Sequence, residues 1–181
     1  MGKIGLDFSI ERYGLNVRLV NEDDAEFILS LRTDAKLSKH LHDTTNNVEL
    51  QREWIRNYKI REKSGEDYYF IYTYKGKLCG VNRLYNIKEH SFTIGSWIFS
   101  PESPLGISIY ADIILKELGF ETFKYKFCLF EVRKGNIQVQ KYHSRYNPEV
   151  IGESDLDIFY KLSKENFEEN KVKYMNLIKQ M

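Results

Sequence analysis

The residues best suited to chemistry fall in two stretches. The first, Ile94-Gly95-Ser96-Trp97-Ile98-Phe99-Ser100-Pro101-Glu102-Ser103-Pro104-Leu105-Gly106-Ile107-Ser108, takes an apolar strand through a Ser-, Pro- and Gly-rich loop into a helix. A helix N-terminus offers unpaired backbone N–H groups and the positive end of a macrodipole, so such a junction can hold a phosphate. Gly106, having no Cβ, would let the backbone approach closely. A strand-loop-helix junction of this composition is also ordinary connectivity, so this stretch needs support from elsewhere. The second stretch, Val132-Arg133-Lys134-Gly135-Asn136, closes a strand and opens a helix that continues to Tyr142-His143. Seven residues is nearly two helical turns, so Asn136 and His143 share a face. An imidazole titrating near ~6.5 can serve as acid or base around neutral pH. Two plainer readings stay open: Asn136 as a simple N-cap, and His143 as a partly exposed helix histidine.

Other chemistries lack their residues. His40, His42, His90 and His143 form no ligand set with carboxylates, and on a helix His40 and His42 would diverge, so no metal is expected. Cys79 and Cys128 lie in separate apolar strand-like runs with no C-x-x-C pair, which reads as buried, reduced thiols. The 27 basic and 26 acidic side chains leave a net charge of +1, without the basic excess of a nucleic-acid binder. No apolar run approaches the ~18 residues of a membrane span, and Met1 to Arg18 has no apolar leader core. The expectation is a soluble, cytoplasmic protein that contacts neither nucleic acid nor membrane.

The elements that must position these residues follow from periodicity. With 181 residues and no repeat or linker, the chain reads as one domain, 1–181. Val17 to Val20 is a short strand. Asn21 then reads as the N-cap of a helix carrying Glu22, Asp23 and Asp24 at its positive end and Ala25, Phe27, Ile28 and Leu31 at helical spacing. A second helix is expected over Val48 to Lys63. Tyr68 to Tyr74, Leu78 to Ile87 and Phe92 to Phe99 read as consecutive antiparallel strands. A helix over Ile107 to Leu118 follows, with Gly119 as its stop. Next come a strand, Tyr125 to Val132, a helix, Asn136 to Tyr146, and short strands near Val150 and over Leu156 to Leu162. The tail, Lys164 to Lys179, carries Phe167, Lys171, Tyr174, Met175 and Ile178 at helical spacing. The order β-α-α-β-β-β-α-β-α-β-β with a final helix describes an α+β domain, and no doubly wound dinucleotide fold has it.

This order, with the two stretches, resembles the GCN5-related N-acetyltransferases (GNAT) from about Val17 to Leu162, with the tail helix outside that core. The resemblance implies a mixed, mostly antiparallel central sheet flanked by helices in three layers, and acetyl-CoA as cosubstrate. The family's pyrophosphate loop, Q/R-x-x-G-x-G/A, is matched here by Ser103-x-x-Gly106-x-Ser108, with Leu105 and Ile107 between; the glycine is kept and both ends are serine. Backbone groups of the strand before it would bond the pantetheine arm, which places that role on Trp97, Ile98 and Phe99. The family's Asn, then a small or aliphatic residue three on and a Tyr seven on, becomes Asn136, Val139 and His143, with Asn147-Pro148 where Gly-Phe would stand. His143 thus occupies the position of the tyrosine that protonates the departing thiolate. Glu131, a strand carboxylate beside the thioester, could act as base if it faces the site.

The resemblance places the amine acceptor between the first two helices and the facing strands. Candidates there are Arg32, Trp54, Arg83 and Tyr85, with His40, His42 and Asn82 less specific. Arg32 as a solvated helix residue and Trp54 as core are the plainer alternatives. The stretches Arg52 to Ile55, Tyr68 to Ile71, Arg83 to Tyr85 and Gly152 to Asp157 look like bacterial enzymes that acetylate nucleotide-linked amino sugars. Ribosomal-protein N-terminal acetyltransferases and a non-catalytic acyl-CoA-binding module are the alternatives. The tail helix would serve either a homodimer contact or packing within a monomer.

Overall fold

The computed structural model describes residues 3–41 and 43–179, with side chains described to residue 176. His42, one of the acceptor candidates, and the Ile178 side chain fall outside the described residues. The sheet begins earlier than expected. Ser9–Arg12 (β1) turns through Tyr13 and Gly14, both at positive φ, into Leu15–Leu19 (β2). This hairpin has only four residues in its edge strand and no apolar alternation in the exposed half, so periodicity alone does not reveal it.

Asn21 caps a 3-10 turn, Glu22–Asp24, rather than the α-helix itself, in a capping box closed by Asp24. Ala25–Thr33 (α1) follows, and Val48–Ser64 (α2) is capped by the Asn47 side chain and ended by Gly65 at φ +81°. Tyr68–Tyr74 (β3), Lys77–Tyr85 (β4) and Ser91–Phe99 (β5) form the expected antiparallel meander. Ile107–Glu117 (α3) starts at Gly106, whose φ of +85° favours glycine. Gly119 does not end the chain's helical path. It sits in a π-helical turn, Leu118–Thr122, where a Cβ would lie 2.1 Å from the buried Phe92 ring. Phe127–Arg133 (β6), Ile137–Ser144 (α4), Glu149–Glu153 (β7), Asp157–Ser163 (β8) and Lys164–Lys179 (α5) complete the order.

One eight-stranded sheet, β1-β2-β3-β4-β5-β6-β8-β7, runs through the molecule. Only the β5–β6 pair is parallel among the described strands. Strand alternation sorts the side chains to two cores. Tyr68, Phe70 and Leu84 pack under α3, α4 and α5, while Tyr69, Ile71 and Val81 pack under α1 and α2. The tail helix buries Phe167 and Tyr174 against its own sheet.

The β5–β6 pairing is short: Ser91, Phe92 and Thr93 meet Phe127, Cys128 and Leu129, and no further residues pair. A bulge explains the parting. Between Gly95↔Arg83 and Ile98↔Val81, Ser96 and Trp97 together oppose Asn82, and Ser96 takes φ +51°. The extra residue bends β5 away from β6. Gly95 to Phe99 and Phe130 to Arg133 therefore face each other across a wedge with their inner backbone edges unpaired.

Candidate active site

The wedge opens onto the first turn of α3. The amides of Leu105, Gly106 and Ser108 find no acceptor among the described residues, and the helix's positive end lies behind them. The loop is held from below: Ser100 N–H donates to Cys79 O (2.7 Å) and Ser103 Oγ donates to the same carbonyl (3.1 Å). The Ser103 side chain is thus occupied within the protein, and the amides at Leu105, Gly106 and Ser108 are the loop's unpartnered backbone donors among the described residues. Trp97 Nε1 donates to Ser108 O at 3.0 Å, tying the bulged strand to that first turn. Ile98 and Phe99 stay paired to β4 on one edge and present the other to the wedge. Ile107 is buried as the anchor of the turn, and Leu105 is exposed. Asn136 is the α4 N-cap, its Oδ1 accepting from Val139 N–H at 3.3 Å.

His143 is neither partly exposed nor free to titrate. It is 4% exposed, stacked on Phe130 (ring centroids 4.2 Å) and flanked by Tyr142 and Trp97. Burial, then the charge of Lys116, pushes its pKa well below the usual histidine value. Near neutral pH it is a neutral hydrogen-bonding group. Its buried Nδ1 has no hydrogen-bond partner among the described residues. Such an orphan is uncommon in a folded protein and fits a group held by a ligand.

The depressed value has a stability consequence. Below the unfolded value of about 6.5 the unfolded chain takes up a proton that native His143 does not. Its contribution is therefore complete above pH ~6.5 and is lost as pH falls toward the native value. Urea unfolding at pH 7.5 and 5.5 should show a loss for the native protein that His143→Leu diminishes. Equal losses in both would contradict a buried neutral imidazole.

On the other side of the sheet, under α1 and α2, lies a cleft of about 590 Å³. It brings together Arg32, Trp54, Arg83, Tyr85 and Glu131, all named above from the sequence, and adds Tyr69, Ser96, Arg133 and Asp157. Asn82 is not among them. It is buried on the opposite face, bonded to the Tyr72 hydroxyl (2.9 Å) and Ala111 O (3.1 Å), because alternation along β4 sends it away from Arg83. Glu131 is exposed in the cleft, across the wedge from Gly95 and Ser96, with no ion-pair partner among the described residues. The neighbouring Arg133 is committed to Asp157 at 3.1 Å. Tyr85 is made less acidic by burial first and by the Glu131 charge second. Tyr69 is pushed up to about 12 by burial, partly offset by Arg32 and Arg83.

Asp67, which residue pattern alone does not single out, organises one wall. This buried carboxylate accepts from Arg83 Nε (2.7 Å) and Nη2 and from Arg61 Nε (3.1 Å). The segment between α1 and α2 closes the cleft above: Arg32 Nε donates to Thr44 Oγ1 at 2.8 Å, and a Cβ on Gly135 would lie 3.6 Å from His40. Among the described residues there is no cluster of three or more metal-ligating side chains, and no helix is long and apolar enough to cross a membrane.

A sheet parted beside a helix N-terminus, with a polar cleft opposite, is the architecture of the acetyltransferase (GNAT) domain, and that family matches residues 15–147. The chain belongs to the GNAT family and is an N-acetyltransferase. It is similar to apo FdhC, described as a nucleotide-linked sugar GNAT, at 36% identity over 95% of this chain and 99% of that one, with a TM-score of 0.84. Ribosomal-protein-S5-alanine acetyltransferase from Vibrio fischeri shares the fold at 17% identity, 88% and 98% coverage and a TM-score of 0.74. Mycobacterium smegmatis RimJ, in complex with CoA-disulfide, shares it at 16% identity, 83% and 82% coverage and a TM-score of 0.70. No curated protein sequence matches the chain.

Proposed function

We propose that this enzyme acetylates the primary amine of a nucleotide-linked amino sugar, with acetyl-CoA as donor, by direct transfer. The observation that carries the reading is the wedge between β5 and β6, which joins the unpartnered amides at Gly106 on one side to the Glu131 cleft on the other. The amides of Leu105, Gly106 and Ser108 suit a pyrophosphate, and the inner edges of Trp97 to Phe99 suit an amide-bearing arm. The likeness to FdhC and the guanidinium groups of the cleft support a small, anionic acceptor over an extended peptide.

In this reading the donor supplies an activated acetyl carbonyl, and the residues here arrange the acceptor against it. Glu131 takes a proton from the neutral amine as it attacks. The nitrogen bonds to the carbonyl carbon while the carbon–sulfur bond breaks, and the sulfur leaves with the electron pair. Unpaired N–H groups of bulged β5 stabilise the charge that develops on the carbonyl oxygen. His143, held neutral, positions the thioester by hydrogen bonding through its orphan nitrogen. Trp54 and Tyr85 form the walls for the sugar, and Arg32 and Arg83 face its charged end.

Thermal unfolding with and without acetyl-CoA tests the donor assignment. At 100 times Kd, binding adds about 2.7 kcal/mol, which for a domain of this size raises the midpoint by roughly 5–10 °C. A folded protein whose midpoint does not move would sink the reading.

A further inference from the structure

We propose that Arg83, presented by Asp67 between two aromatic rings, is the phosphate-recognising group of the acceptor cleft. The inference rests on reading that cleft as the acceptor site and names the end of the acceptor it grips. Asp67 takes Nε and Nη2 of Arg83, and Nη1 has no hydrogen bond to any described residue. The guanidinium is 5.3 Å from the Trp54 ring centroid and 4.8 Å from that of Tyr85, so its plane cannot swing freely. Arg83 itself lines the cleft.

The local charge favours an anion. Arg61 and Arg83 share the single carboxylate of Asp67, which leaves the three-residue cluster with an excess of one positive charge. Arg32 faces the Tyr69 phenol together with Arg83, adding a second guanidinium at the same floor. Glu131, on β6, marks the opposite end. Strands β4 and β6 are two sheet spacings apart, about 10 Å before the wedge widens it. The cleft therefore presents a proton acceptor at one end and a fixed donor for anions at the other. A lone amine leaves the second end unused; an amino sugar carrying a diphosphate fills both. A pinned guanidinium suits phosphate oxygens better than a lysine would, because its N–H groups lie in one plane and its face stacks on aromatics.

The test is calorimetric titration of the acetyl-CoA-saturated protein with UDP and with dTDP. Saturation keeps these probes out of the pyrophosphate loop. The native protein should bind at least one of them. Arg83→Gln should weaken that binding about 10- to 100-fold. Arg83→Lys, which keeps the charge and guards against misfolding, should lose most of the same affinity. The acetyl-CoA thermal shift of each variant reports that the fold and donor site are intact. Binding in Arg83→Gln within twofold of native would overturn the proposal. So would failure of the native protein to bind either probe while acetyl-CoA still raises its melting point, a result that leaves the acetyl-transfer reading in place. Loss of the acetyl-CoA shift in the native protein would instead strike that reading.

Discussion

Glu131→Gln is expected to lower kcat by about 10²- to 10³-fold while leaving acetyl-CoA affinity within about twofold. The side chain stands in the cleft across the wedge from Ser96, with no cation paired to it among the described residues. Gln keeps the volume and the hydrogen-bonding shape and removes only the capacity to take a proton. Removing a general base costs ~10²–10⁴-fold in typical enzymes, and positioning with oxyanion stabilisation is expected to supply the remainder here. The measurement is steady-state release of free thiol with a nucleotide-linked amino sugar, against pH. The variant should regain part of its rate at high pH, where the amine is already deprotonated. A variant within threefold of native at neutral pH would remove Glu131 from the base role.

The largest loss of stability is expected from Lys116→Met. Lys116 is fully buried in α3, its ammonium bonded to Asp112 and 5.0, 5.5 and 6.0 Å from the ring centroids of Tyr146, Tyr142 and Phe130. Asp112 also accepts the Tyr142 hydroxyl. Taking one partner from a buried pair leaves the other charge uncompensated, which costs about 3–5 kcal/mol. For a chain of this length that lowers the melting midpoint by on the order of 10 °C. The double variant Lys116→Met/Asp112→Leu should recover much of the loss, because it removes both desolvated charges together. Differential scanning calorimetry of the single and double variants decides it. A single variant as stable as the native protein would mean that the pair contributes nothing as an ion pair. Lys116 also supplies the smaller of the two influences that hold His143 neutral, so burial should keep the imidazole neutral in the variant.

The fold was legible where local chemistry repeats along the chain. The β3-β4-β5 meander, the helices at Val48 and Ile107 and the strand–helix–strand order after Tyr125 all carry period-2 or period-3.6 patterns that survive burial. The edge strand Ser9–Arg12 was not legible, because its alternation runs over only four residues with Ile10 the single apolar one. Gly119 misled for a related reason: a glycine near a helix end signals a stop, but here its missing Cβ makes room for the Phe92 ring.

The candidate site divides along the same line. Residue type and short-range spacing point to the glycine at the strand–loop–helix junction, Gly106, and to Asn136 as an N-cap, and the family resemblance adds Arg32, Trp54, Arg83, Tyr85 and Glu131 as candidates. Only the tertiary structure decided which of them meet. A one-residue bulge at Ser96 parts β5 from β6, and strand alternation turns Arg83 into the cleft and Asn82 out of it. It also decided their chemical states. His143 is neutral because Phe130, Trp97 and Tyr142 exclude water from it and Lys116 lies close by, and Arg83 is rigid because Asp67, sixteen residues earlier, is folded against it. Burial and charge proximity are properties of neighbours distant in the chain, and no local pattern encodes them.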